Sequence, residues 1–106
     1  MNIQDYLQRF TERLQIQRYS QSSIKNYQSN LFLFLTVTSQ EFDSIEKIDI
    51  TAIENYIHWK IKKDNISASH QRIILASITK FYELVLEKRI NLKHLYPQRK
   101  EYKLPN

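Results

Sequence analysis

A chain of 106 residues with 42% hydrophobic content holds enough material for one core and one domain. Its lack of cysteine excludes disulfide frameworks and thiolate metal sites, and its lack of glycine excludes glycine-rich phosphate loops and nucleophile elbows. The net charge of +5 is unevenly spread: up to Tyr56 seven acidic residues outweigh five basic ones, whereas from Ile57 onward eleven basic residues face four acidic ones. The second half is therefore the expected polyanion-facing part. The start Met1-Asn2-Ile3-Gln4-Asp5 lacks the basic and apolar regions of a signal peptide, and no window is long and apolar enough to span a bilayer. With no cysteine, the expectation is a soluble cytoplasmic protein that makes no membrane contact.

Ile3, Tyr6, Leu7, Phe10 and Leu14 recur at helical spacing, which predicts an amphipathic helix over residues 3–17. A second helix follows, capped by Ser20 and running to Val37 or Thr38. Its apolar face is Ile24, Tyr27, Leu31, Phe34 and Leu35, and its opposite face carries Ser22, Lys25, Asn26 and Ser29. Short polar groups and a cation at a helix start suit phosphate oxygens, because unpaired N–H groups and the positive end of the helix dipole lie there too. The acidic residues Glu41, Asp43 and Glu46 mark a loop turned away from any polyanion, and their spacing matches no calcium loop.

Thr51-Ala52-Ile53-Glu54 reads as a capping box that opens a third helix with a buried stripe of Ile53, Tyr56, Ile57 and Ile61. Asn65 is its expected left-handed C-terminal residue, and Trp59 lies off the stripe as an edge-packing side chain. The basic cluster Lys60-Ile61-Lys62-Lys63 either complements the helix dipole or meets phosphate, which makes Lys60 and Lys63 candidate contacts. Ser67 caps a fourth helix reaching about Lys88, whose broad apolar side (Ile74, Leu75, Ile78, Phe81, Tyr82, Val85) makes it the expected central helix. Ser69, Arg72, Ala76, Thr79 and Lys80 form a narrow outer strip, with His70 and Gln71 beside it. Such a strip fits a major groove: Gln71 suits adenine, and Arg72 suits guanine or phosphate.

His58, His70 and His94 show no metal-ligand spacing, and no nucleophile, acid and base can be assembled. No catalytic residue, metal or cofactor is therefore expected. Residues 91–106 hold both prolines and read as an extended basic linker that includes Arg99 and Lys100.

The order of these signals, Tyr19-Ser20, Ser23-Ile24, Tyr27, Phe34-Leu35, Ile50-Thr51, Tyr56-Ile57, Ser67, Leu75-Ala76-Ser77-Ile78, Phe81-Tyr82 and Leu104-Pro105, resembles the N-terminal core-binding domain of tyrosine recombinases, the phage-integrase family. The resemblance implies an all-α, four-helix, SAM-like orthogonal bundle over residues 1–92, followed by a linker over 93–106. Such a domain forms one half of a clamp around double-stranded DNA, with the second and fourth helices in the major groove. The carried-over contacts are Ser22, Ser23, Lys25 and Asn26 on one helix and Ser69, His70, Gln71, Arg72 and Lys80 on the other, with Arg99 and Lys100 crossing the backbone. It further implies a catalytic domain of the same parent protein beyond Leu104-Pro105, which would carry the tyrosine nucleophile, and a recombinase tetramer on DNA. None of the seven tyrosines here is expected to be that nucleophile. One departure is that the family's basic position before Phe81-Tyr82 is split between Thr79 and Lys80. The competing function is a helical protein-interaction module using the outer strip or Trp59.

Overall fold

Each of the four long helices starts where a short polar side chain can satisfy a first-turn N–H. In the computed structural model, which describes residues 2–98, these are α1 (Ile3–Ile16), α2 (Gln21–Thr38), α3 (Ile50–Asp64) and α4 (Ala68–Phe81). Ser20 and Ser67 cap α2 and α4 as expected, their hydroxyls accepting from the N–H of Ser23 at 3.1 Å and of His70 at 3.0 Å. The cap of α1 is a full capping box that the sequence reading passed over: Asn2 Oδ1 accepts from Asp5 N at 2.9 Å, and the Asp5 carboxylate accepts from Asn2 N at 3.2 Å.

The start of α3 differs from expectation. Asp49, not Thr51, is the cap, its Oδ1 accepting from Ala52 N at 2.9 Å, and Thr51 lies inside the first turn. A carboxylate near the positive end of the helix dipole gains more than a hydroxyl, and Asp49 has the extended backbone a cap requires. Asp49→Ala is therefore expected to cost about 1 kcal/mol in chemical denaturation, and Thr51→Ala no more than a few tenths. Equal losses would return the cap to Thr51.

A chain without glycine must place other residues at left-handed positions, and Arg18, Asn65 and Glu87 take them with φ of 67°, 50° and 57°. Asn65 is the expected one. At Arg18 the N–H groups of Tyr19 and Arg18 donate to Leu14 O at 3.2 Å and Gln15 O at 2.9 Å, which closes α1 with a Schellman turn and delivers the chain directly into α2. The fourth helix does not stay regular to Lys88. After Phe81 it widens into one π-type turn, Tyr82–Leu86, that ends at Glu87.

Phe10, Leu14, Leu31, Phe34, Leu35, Ile53, Ile74, Leu75, Ile78 and Phe81 are fully buried and join the four helices in one core. Phe81 is its hub, meeting the rings of Tyr6, Phe10 and Tyr82 edge to face at 5.7, 6.1 and 6.0 Å. The acidic 41–46 segment is not a free loop. Two 3-10 turns, Ser39–Glu41 and Ile45–Lys47, bury Ile45 and lead to buried Ile48, whose carbonyl accepts from Tyr82 Oη at 2.7 Å.

The segment read as a linker from residue 93 is docked at its start. Leu92 is buried, Lys93–Leu95 form a 3-10 turn, and Leu95 and Tyr96 pack against the core. Apolar side chains in that segment give it a reason to fold back that its prolines and charges concealed.

Candidate nucleic-acid interface

The helices α2 and α4 pack side by side and antiparallel. His70, in the first turn of α4, reaches Asn30 in the middle of α2, while Lys80, near the end of α4, reaches Tyr19 just before α2. The pair presents one joint outer surface. On α2 it shows Ser22, Lys25, Asn26 and Ser29, all exposed; on α4 it shows exposed Ser69 and Arg72 and half-buried Ala76 and Thr79. Lys25 and Arg72 are the cations whose heads this surface leaves to solvent, since neither has an acidic partner among the described residues.

The remaining candidates divide by what they already hold. Ser23 is half-buried, and its Oγ accepts from Ser20 Oγ at 3.0 Å, so it belongs to the cap. Lys80 lies against α2 rather than toward solvent. Its ammonium donates to Tyr19 Oη at 2.7 Å and sits 4.8 Å from the Tyr19 ring centre and 5.5 Å from that of Tyr27, with the two rings edge to face at 5.9 Å. This clasp fastens the start of α2 to the end of α4 through a cation–π contact and a charged hydrogen bond. Gln71 points toward the docked C-terminal segment, where its Nε2 donates to Leu95 O at 2.8 Å. The side chain assigned to adenine thus holds the outgoing chain instead.

On α3 the expectation for Lys60 fails. Lys60 is only 6% exposed, and its ammonium is 2.7 Å from Asp64 Oδ2. It occupies the inward position that the sequence reading gave to Ile61, which is 38% exposed. Spacing explains the swap: Ile53, Tyr56, Ile57 and Lys60 follow the i, i+3, i+4, i+7 rule, and the lysine stem packs like an aliphatic chain while its head is paired. The hydrogen bond from Lys60 holds the Asp64 carboxyl below its ordinary value, against the opposing effect of desolvation. Lys63 remains exposed, its ammonium 5.4 Å from the Trp59 ring centre and 3.7 Å from Asp64. Trp59 is 39% exposed and stacks obliquely on Tyr56 at 5.8 Å, an edge-packing residue as its position off the stripe implied.

Arg99 and Lys100 lie outside the described residues. Burial pushes the Tyr56 hydroxyl upward, and burial together with the charge of Asp49 pushes Tyr82 up to about 12. No group of three metal-ligating side chains converges among the described residues, and no described helix is long and apolar enough to cross a membrane.

Sequence reasoning missed Asn30, which bridges the two helices, and Tyr19 and Tyr27 as the seat of Lys80. The four-residue spacing of Asn26 and Asn30 was the available signal for the first. The second depends on contacts across 61 residues of chain, which no local pattern carries.

The architecture and this face can be set beside known proteins. The crystal structure of XerA recombinase superposes on this chain with a TM-score of 0.78 at 25% identity, covering 99% of this chain and 36% of the recombinase. The chain thus spans about a third of that recombinase's length. No curated protein matches the sequence. The sequence profile described as "Phage integrase, N-terminal SAM-like domain" matches residues 6–92. With four helices built around this core and that profile covering most of its length, the chain belongs to the N-terminal SAM-like domain family of phage integrases, the tyrosine recombinases.

Proposed function

We infer that this chain is the DNA-binding, core-binding module of a site-specific tyrosine recombinase, acting in the cytoplasm on double-stranded DNA. The observation that carries the reading is the antiparallel α2/α4 face, where small polar residues flank two cations, Lys25 and Arg72, that have no acidic partner among the described residues. Small side chains let the two backbones approach a groove closely. Ser22 and Ser69, beside the N-termini of α2 and α4, add hydroxyl and N–H donors for phosphate. Asn26, His70 and Arg72 are side chains suited to meet base edges, and the charges of Lys63, Arg99 and Lys100 add to the attraction for phosphate. Ser23 and Lys80 serve this surface by fixing the start of α2, and Gln71 serves it by holding the chain that leaves the bundle. Strand cleavage through a phosphotyrosyl intermediate belongs to a catalytic domain of the same parent, and assembly of the parent on DNA involves further recombinase copies.

Binding through few phosphate contacts is weak and strongly dependent on salt. Fluorescence-anisotropy titration against a labelled duplex is expected to give a log–log salt slope of roughly −3, with only modest sequence preference for the isolated chain. A slope near zero would remove the electrostatic basis of the reading. A protein-docking role has one observation in its favour. The half-exposed Trp59 borders a shallow groove of ≈ 370 Å³ with Val37, Glu41 and Tyr56. Its lining is mostly apolar or neutral with one carboxylate, Glu41, which suits protein rather than DNA, so Trp59→Ala should leave duplex affinity unchanged.

A further inference from the structure

On the same α2/α4 surface the hydrogen bonds fix which ring nitrogen of His70 carries its proton. Asn30 Nδ2 donates to Asn26 O at 2.7 Å, and because a carbonyl only accepts, the amide orientation of Asn30 is determined. Its Oδ1 is then the atom 3.2 Å from His70 Nε2. An oxygen acceptor there requires a hydrogen on Nε2, so the neutral imidazole has its lone pair on Nδ1. Nδ1 has no protein partner among the described residues, and His70 is half-buried in the first turn of α4 between exposed Ser69 and Arg72.

We propose that Asn30 is a positioning residue that makes His70 Nδ1 a hydrogen-bond acceptor, and that His70 thereby selects a base bearing a major-groove amino group. The chemistry is specific, because only adenine and cytosine offer an N–H donor on the major-groove edge, whereas guanine and thymine offer acceptors. An acceptor at a fixed place therefore sorts adenine and cytosine from guanine and thymine on one strand. A lysine in its place, a pure donor, would favour guanine, which offers two acceptors there, over cytosine, which offers none. This rests on the DNA-binding reading above, but the bridge that creates the acceptor is a property of the free protein.

Two measurements on this chain separate the parts. In long-range ¹H–¹⁵N spectra recorded above the ordinary imidazole range, His70 is expected to show an unprotonated Nδ1 and a slowly exchanging Hε2. Asn30→Ala should lose the slow Hε2 signal. A proton on Nδ1, or an Hε2 signal indifferent to Asn30, overturns the bridge whatever happens with DNA. In parallel, sequences are selected from a pool of random duplexes by wild type, His70→Lys and His70→Leu, each checked for an unchanged helical spectrum and melting. Wild type is expected to enrich adenine and cytosine at one position by about tenfold. His70→Lys should shift the preference from cytosine to guanine at that position, and His70→Leu should abolish it. Binding by all three proteins with the same preference at every position overturns the base assignment while the DNA-binding reading stands. If none binds duplex, that reading and the base assignment fall together, and the spectra still decide the bridge.

Discussion

Reversing both free cations of the α2/α4 face, in the double variant Lys25→Glu/Arg72→Glu, is expected to lower duplex affinity at least about 30-fold at low salt while the bundle stays folded. Removing a phosphate or base contact by arginine or lysine costs about 1–3 kcal/mol, and a reversed charge adds repulsion from a polyanion. Both side chains are exposed and lack acidic partners among the described residues, so their replacement disturbs no buried pair. The choice of pair matters. Lys80 carries the same charge on the same helix, yet it is engaged with Tyr19 and Tyr27, so changing it would confound folding with binding. Lys60 is buried against Asp64 and would report only on the core. Anisotropy together with a thermal melt checks the prediction. A folded double variant binding as tightly as wild type would remove this face from the interface.

Truncating the hub of the core should have the largest effect on stability. Phe81→Ala deletes a fully buried ring in edge-to-face contact with Tyr6, Phe10 and Tyr82. Burial of an aromatic ring plus the cavity left behind is worth about 3–5 kcal/mol. Domains of this kind have about 5–15 kcal/mol in total, so the variant should be marginal, with a melting temperature lower by roughly 15–25 °C. Because Phe81 joins α4 to α1, the loss should be cooperative across the bundle rather than confined to the C-terminal turn. A loss below about 1 kcal/mol by urea denaturation would mean that the packing around Phe81 does not hold the helices together.

The helices and most of the core were readable because their signals are local. Ser20 and Ser67 announce helix starts, Asn65 a helix end, and the spacing of Leu31, Phe34 and Leu35 one buried face. Two signals of the same local kind were misread. Thr51 and Glu54 have the right separation for a capping box, but Asp49 stands two residues earlier and wins the cap. Lys60 falls on the buried stripe of α3 by spacing, and residue type alone argued for solvent; only Asp64, one turn on, makes an inward lysine tolerable. The outer strips of α2 and α4 were likewise evident from the helical repeat. Which polar side chains on them are free was not. Gln71 finds Leu95, Lys80 finds Tyr19 and His70 finds Asn30 through contacts distant in sequence. The resemblance to tyrosine recombinases supplied the assembly of these parts, and the family match over residues 6–92 agrees with it.

The most direct test of a DNA-binding α2/α4 face is an amide chemical-shift titration of this chain with a short duplex. The largest shifts are expected at Ser22, Lys25, Asn26, Ser69, His70 and Arg72, with little change over residues 41–46 and around Trp59. Shifts centred on the Trp59 groove, or none at saturating duplex in low salt, would contradict it.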